Sequence, residues 1–178
     1  MVTAKDSDAA GNKDSTIIVL GEVMVSVVRG VSAHEQLSWI VGITAVLGML
    51  VAIGLWWLYF DAISQHQPIN TLSKTMGWMY LHLPLTAGIV ATGAAVFNVV
   101  AEVGEPLAPE IRWLLVGAIA VTLLSNAVLM RSIQIPEAYF QLYQRNGIAT
   151  FISGAIILLL GFSGLNTIPL LTIVIALM

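Results

Sequence analysis

Ser38 to Ala62 reads SWIVGITAVLGMLVAIGLWWLYFDA, twenty-five residues with a single charge, Asp61, near its end. A helix needs ~20 apolar residues to cross the ~30 Å hydrocarbon core of a bilayer, so this stretch is long enough to span one. It lacks the strict alternation of a barrel wall, so the spanning element is a helix. The whole chain has the same character: of 178 residues, 58% are hydrophobic and 10% charged. Soluble domains run nearer to ~25% charged. A chain this small cannot hide such an apolar excess inside a soluble globule, so the surplus faces lipid. The formal charge of −3 is scattered, with no basic run for a nucleic acid. The absence of cysteine removes disulfides, thiol nucleophiles and thiolate metal sites.

Outward from that stretch, charges and turn residues divide the chain into apolar runs at about 16–31, 38–62, 78–101, 111–131, 147–163 and 168–178. The expected fold is an all-α transmembrane bundle of five to six helices over 16–178, the last one short or truncated. Residues 1–15 are small and polar with interspersed charges, which predicts a disordered cytoplasmic tail rather than a signal peptide. Pro68 and Asn70, and Gly104, Pro106 and Pro109, mark loops. Ser132 to Arg145, with Pro136, reads as a short interfacial segment. Lysines and arginines set the orientation. If every run before Met178 crosses, Lys5, Lys13, Lys74, Arg131 and Arg145 share the side of the tail, against Arg29 and Arg112 opposite. The positive-inside rule then puts the N-terminus in the cytoplasm of a multi-pass cell-membrane protein.

Polar residues within spans are costly and point to function. Glu22, Ser26 and Arg29 recur at i, i+4 and i+7, one helical face. Thr122 with Asn126, and Asn146 with Thr150 and Ser153, form similar stripes, while Ala87, Ala91 and Ala95 form a small-residue seam. Counting depth from the ends of the runs brings Glu22, Asp61 and His82 into the cytoplasmic half, with Asn126, Arg131 and Asn146 nearby. A carboxylate beside a histidine suits a proton or small-cation site. The plainer reading is that these residues hydrogen-bond across helices and hold the bundle in register. Trp56, Trp57, Trp78 and Trp113 sit near run ends, as in an interfacial belt. No phosphate loop, metalloprotease or hydrolase signature occurs, so no enzyme activity and no cofactor are expected. Three separated histidines, with His34 and His66 in loops, predict no metal site.

Three strings, TIIVLGE (16–22), LWWLYFD (55–61) and YLHLPLTAGIV (80–90), in this order and spacing, resemble the bacterial low-temperature-requirement A (LtrA) membrane proteins. The resemblance covers nearly all of 16–178 and is to the C-terminal half of that family; the acidic, Phe-rich first-helix motif of the N-terminal half is absent. It implies that Glu22, Trp56, Trp57, Tyr59, Asp61, His82 and Pro84 stand at motif positions. Two function classes follow. One is a transporter or channel-like element moving protons or small cations through Glu22, Asp61 and His82. The other is a non-transporting structural or stress-adaptive membrane component. Polar stripes left without partners predict self-association or a second membrane subunit.

Overall fold

The structure, a computed structural model, describes residues 4–64, 66, 69, 71–104 and 106–178, with side chains from Thr16 onward except that of Ser64. Pro68, Asn70 and Glu105 lie outside the described residues. Among the described residues six α-helices follow one another: α1 Ala4–Ser32, α2 Trp39–Tyr59, α3 Leu72–Ala101, α4 Pro109–Leu129, α5 Phe140–Leu159 and α6 Thr167–Leu177. A π-helical turn, Phe60–Ser64, extends α2, and short 3-10 turns lie at Glu137–Tyr139 and Leu160–Phe162. No strand occurs among the described residues. Among the described residues, four helical segments are long and apolar enough to cross a membrane: Trp39–Ile63, Leu72–Ala101, Pro109–Leu129 and Glu137–Phe162.

Three helices begin well before their apolar runs. The expected disordered tail over 1–15 is replaced by helix from Ala4, α3 starts at Leu72 rather than 78, and α5 at Phe140 rather than 147. Hydropathy marks where lipid begins, whereas a nucleated helix propagates at low cost through polar residues such as Lys74 or Gln144. Local signals set several boundaries. Ser38 caps α2 by accepting from the Val41 amide at 3.3 Å, Pro109 occupies the first turn of α4, and Gly104 takes φ 111° in the turn between α3 and α4.

The middle helix of the bundle is α3, packed between α1 and α4, with α5 against the far side of α4 and α2 bridging α1 and α6. Close approach comes from glycines. Gly88 faces Thr122 and the Ala118 carbonyl, Gly93 faces Val23 and Ser26, and Gly30 faces Val100. The expected alanine seam is only partly used: Ala95 is buried, but Ala87 points outward. The seam turns by one residue because Gly88, with no Cβ, admits α4 more closely than an alanine would. Around these contacts lies an apolar core that includes Val23, Leu55, Ile89, Val96, Leu115, Ile119 and Leu123.

Candidate functional site

The glycine contacts fix the height of each polar group. Val23 meets Gly93 and Gly30 meets Val100, so α1 and α3 run parallel and Glu22 lies level with Thr92. His82 sits about ten residues earlier on α3, ~15 Å away along the axis at ~1.5 Å per residue. Glu22 is exposed on the outer side of α1, and its carboxylate makes no hydrogen bond or ion pair among the described residues. Of its stripe, Ser26 turns in against Gly93, and Arg29 stands 5.8 Å over the Phe97 ring. The structure therefore does not bring Glu22 to His82.

His82 belongs to a different cluster. It is 5% exposed, and its Nδ1 donates to the Trp78 carbonyl at 2.8 Å. That bond fixes the tautomer, so Nε2 accepts from the Tyr59 hydroxyl at 3.2 Å. A further hydrogen bond joins Tyr59 to Thr16. One directed chain thus clasps α1, α2 and α3. Trp78 packs on His82 with ring centroids 4.3 Å apart and is 2% exposed. It is a core residue rather than part of an interfacial belt, because α3 begins well before it.

Asp61 comes to a third place. The π-helical turn at the end of α2 carries it, and widened turns of this kind are frequent at functional sites. Asp61 lines a cavity of about 460 Å³ bounded by α2, α4, α5 and the end of α6. Asn126 from α4 and Asn146, Thr150 and Ser153 from α5 share its wall. Thr150 donates to the Asn146 backbone carbonyl at 2.9 Å. Asn126 is 2% exposed, yet its Oδ1 has no hydrogen-bond partner. A buried carbonyl oxygen of this kind costs roughly 1–3 kcal/mol unless something donates to it or coordinates it. Three of the expected site residues, Asp61, Asn126 and Asn146, are thus together, while Glu22, Ser26 and His82 are elsewhere and Arg131 lines a neighbouring cleft.

A second cavity of about 470 Å³ opens at the opposite end of the bundle, lined among others by Thr44, Gly104 and Asn166. The Thr44 hydroxyl is fully buried and also lacks a partner. Between the two cavities α2 and α6 contribute Val51, Leu55, Leu170, Leu171 and Val174, all buried and apolar.

Two histidine contacts were not legible in the sequence. His34 donates through Nε2 to the Val100 carbonyl at 2.8 Å, and His66 meets the Tyr143 hydroxyl at 3.3 Å. Both are loop-to-helix contacts without a spacing signature. No group of three or more His, Cys, Asp or Glu among the described residues could hold a metal ion.

A family model described as Bacterial low temperature requirement A protein (LtrA) matches residues 15–178. No curated protein and no solved structure matches the chain.

Proposed function

The chain belongs to the bacterial low temperature requirement A family and is a membrane protein, and from that premise we propose that it moves protons or small cations through the Asp61 cavity. The observation that carries this reading is the convergence of one carboxylate and a set of neutral oxygens on a single cavity, with the buried Asn126 Oδ1 unpartnered. Carboxylate, amide and hydroxyl oxygens are the donors that hard cations and protonated waters prefer. A second polar cavity at Thr44, with apolar side chains between, supports a path open at each end and closed in the middle. Transport would require that middle to move. The reading is of a transporter or channel-like element and not of an enzyme, with the N-terminus in the cytoplasm and the Asp61 cavity on the cytoplasmic side.

The test is flux in liposomes containing the purified chain and a pH-sensitive dye, repeated with other monovalent cations. Asp61→Asn should reduce flux at least tenfold while leaving the melting temperature unchanged, since Asp61 is exposed to the cavity. Undiminished flux in Asp61→Asn, or none in the parent chain, would defeat the reading.

One observation favours association as well. Glu22 is an exposed carboxylate level with Thr92 of the apolar α3 span, where a charge facing lipid would cost ~2.5–3.5 kcal/mol unless paired or hydrated. A second copy or another membrane subunit donating to Glu22 would relieve that cost. A stable monodisperse monomer, unchanged by Glu22→Gln, would count against it.

A further inference from the structure

Where α4 ends, Met130 and Arg131 lead through Pro136 and the 3-10 turn Glu137–Tyr139 into α5. Between that connection and the first turns of α5 lies a cleft of about 220 Å³, separate from the Asp61 cavity and lined by Met130, Arg131, Ile135, Phe140, Tyr143 and Gln144. Buried Gly147 forms its floor, close enough to Met130 to let α4 and α5 approach. The Tyr143 hydroxyl is engaged by His66, which holds that wall in place.

Arg131 is the only basic residue of the lining, and its guanidinium makes no hydrogen bond or ion pair among the described residues. It stands at the end of one apolar span and beside the start of another, next to exposed Tyr139 and Phe140. That is the depth of lipid headgroups, where aromatic side chains collect. A planar guanidinium matches two phosphate oxygens at once. The apolar walls from Met130, Ile135 and Phe140 suit the glycerol and first methylenes beneath a headgroup, and the Gln144 amide supplies another donor.

We propose that this cleft binds an anionic phospholipid, with Arg131 pairing to the headgroup phosphate. Glu137 lies in the adjoining turn. With that carboxylate nearby and one guanidinium present, the site suits a single phosphodiester rather than a polyanion. A zwitterionic headgroup carries its own ammonium, which competes with Arg131 for the phosphate charge.

The full chain, delipidated in neutral detergent, can be titrated with phosphatidylglycerol, phosphatidylcholine or inorganic phosphate while thermal stability is read, with bound lipid counted by native mass spectrometry. Phosphatidylglycerol should stabilise the parent chain more than phosphatidylcholine does. Arg131→Gln should weaken that binding about fivefold, the loss expected for one basic residue near an anionic surface. Arg145→Gln, at the same end but outside the lining, should leave it unchanged. Equal stabilisation by inorganic phosphate would make this a free-anion site and overturn the lipid assignment. Equal effects of the two lipids, unchanged binding in Arg131→Gln, or equal losses in the two arginine variants would overturn the cleft. Should Arg131→Gln fail to fold, Arg131→Lys serves in its place: it keeps the charge but loses the two-pronged contact, and undiminished binding would again refute the proposal.

Discussion

An alanine at Gly88 would test whether the contact between α3 and α4 depends on a missing side chain. Its Cβ would overlap the Thr122 hydroxyl and stand 3.0 Å from the Ala118 carbonyl oxygen and 3.1 Å from the Thr122 backbone nitrogen. Two of these neighbours are backbone, so no rotamer change relieves the crowding. The third is a hydroxyl already donating to Ala118 at 2.9 Å. Overpacking of a well-packed interface costs about 1–3 kcal/mol. Alanine also gains ~0.8–1 kcal/mol over glycine in a helix interior, which obscures the effect in a single variant. Gly117→Ala removes the ambiguity, because a Cβ there meets nothing within 4 Å and receives the propensity gain alone. The difference between the two variants therefore isolates the packing cost, ~1–3 kcal/mol. Unfolding of both in one detergent should show Gly117→Ala at or above the parent stability and Gly88→Ala clearly below Gly117→Ala. A difference under about 0.5 kcal/mol would refute the assignment of Gly88 as the close-contact point.

Tyr59→Phe removes the donor to His82 and breaks the link to Thr16, leaving a buried ring nitrogen without a partner. A loss of about 1–2 kcal/mol is expected, between the ~0.6 average for polar contacts among membrane helices and the ~1–3 of an orphaned buried acceptor; unfolding with an unchanged midpoint would contradict the clasp. Glu22→Gln and His82→Gln should add within about 0.5 kcal/mol in a double-mutant cycle, because ~15 Å along the bundle separates them. A coupling above that would show that the register between α1 and α3 is wrong. For orientation, cysteines at Ser7 and Glu105, in a chain without native cysteine, should differ in labelling by an impermeant reagent on intact cells. Glu105 should label and Ser7 should not, and the opposite pattern would invert the topology.

Periodicity and hydropathy determined much of this protein. Apolar runs of spanning length, broken by loops with Pro and Gly, require helices in a bilayer, since backbone groups in hydrocarbon must bond within their own segment. The stripe Asn146, Thr150 and Ser153 was also legible, because residues three and four apart share a face of any helix. Which neighbour a face meets is another matter. Glu22, Ser26 and Arg29 share a face in the sequence, yet only Ser26 is buried, because the setting of α1 follows Val23 and Gly30 fitting against Gly93 and Val100. His82 went to Tyr59 and Trp78 rather than to Glu22 because depth counted from the edges of apolar runs ignores the polar residues through which α1 extends back to Ala4, and these set Glu22 about ten residues deeper than His82. Asp61, Asn126 and Asn146 met for the complementary reason: the π-helical turn and the packing of α5 against α4 set rotation and height together. A one-dimensional pattern determines the face a residue occupies within its own helix, and only contact between helices decides what that face touches, because rotation and axial register are set by side chains on the partner.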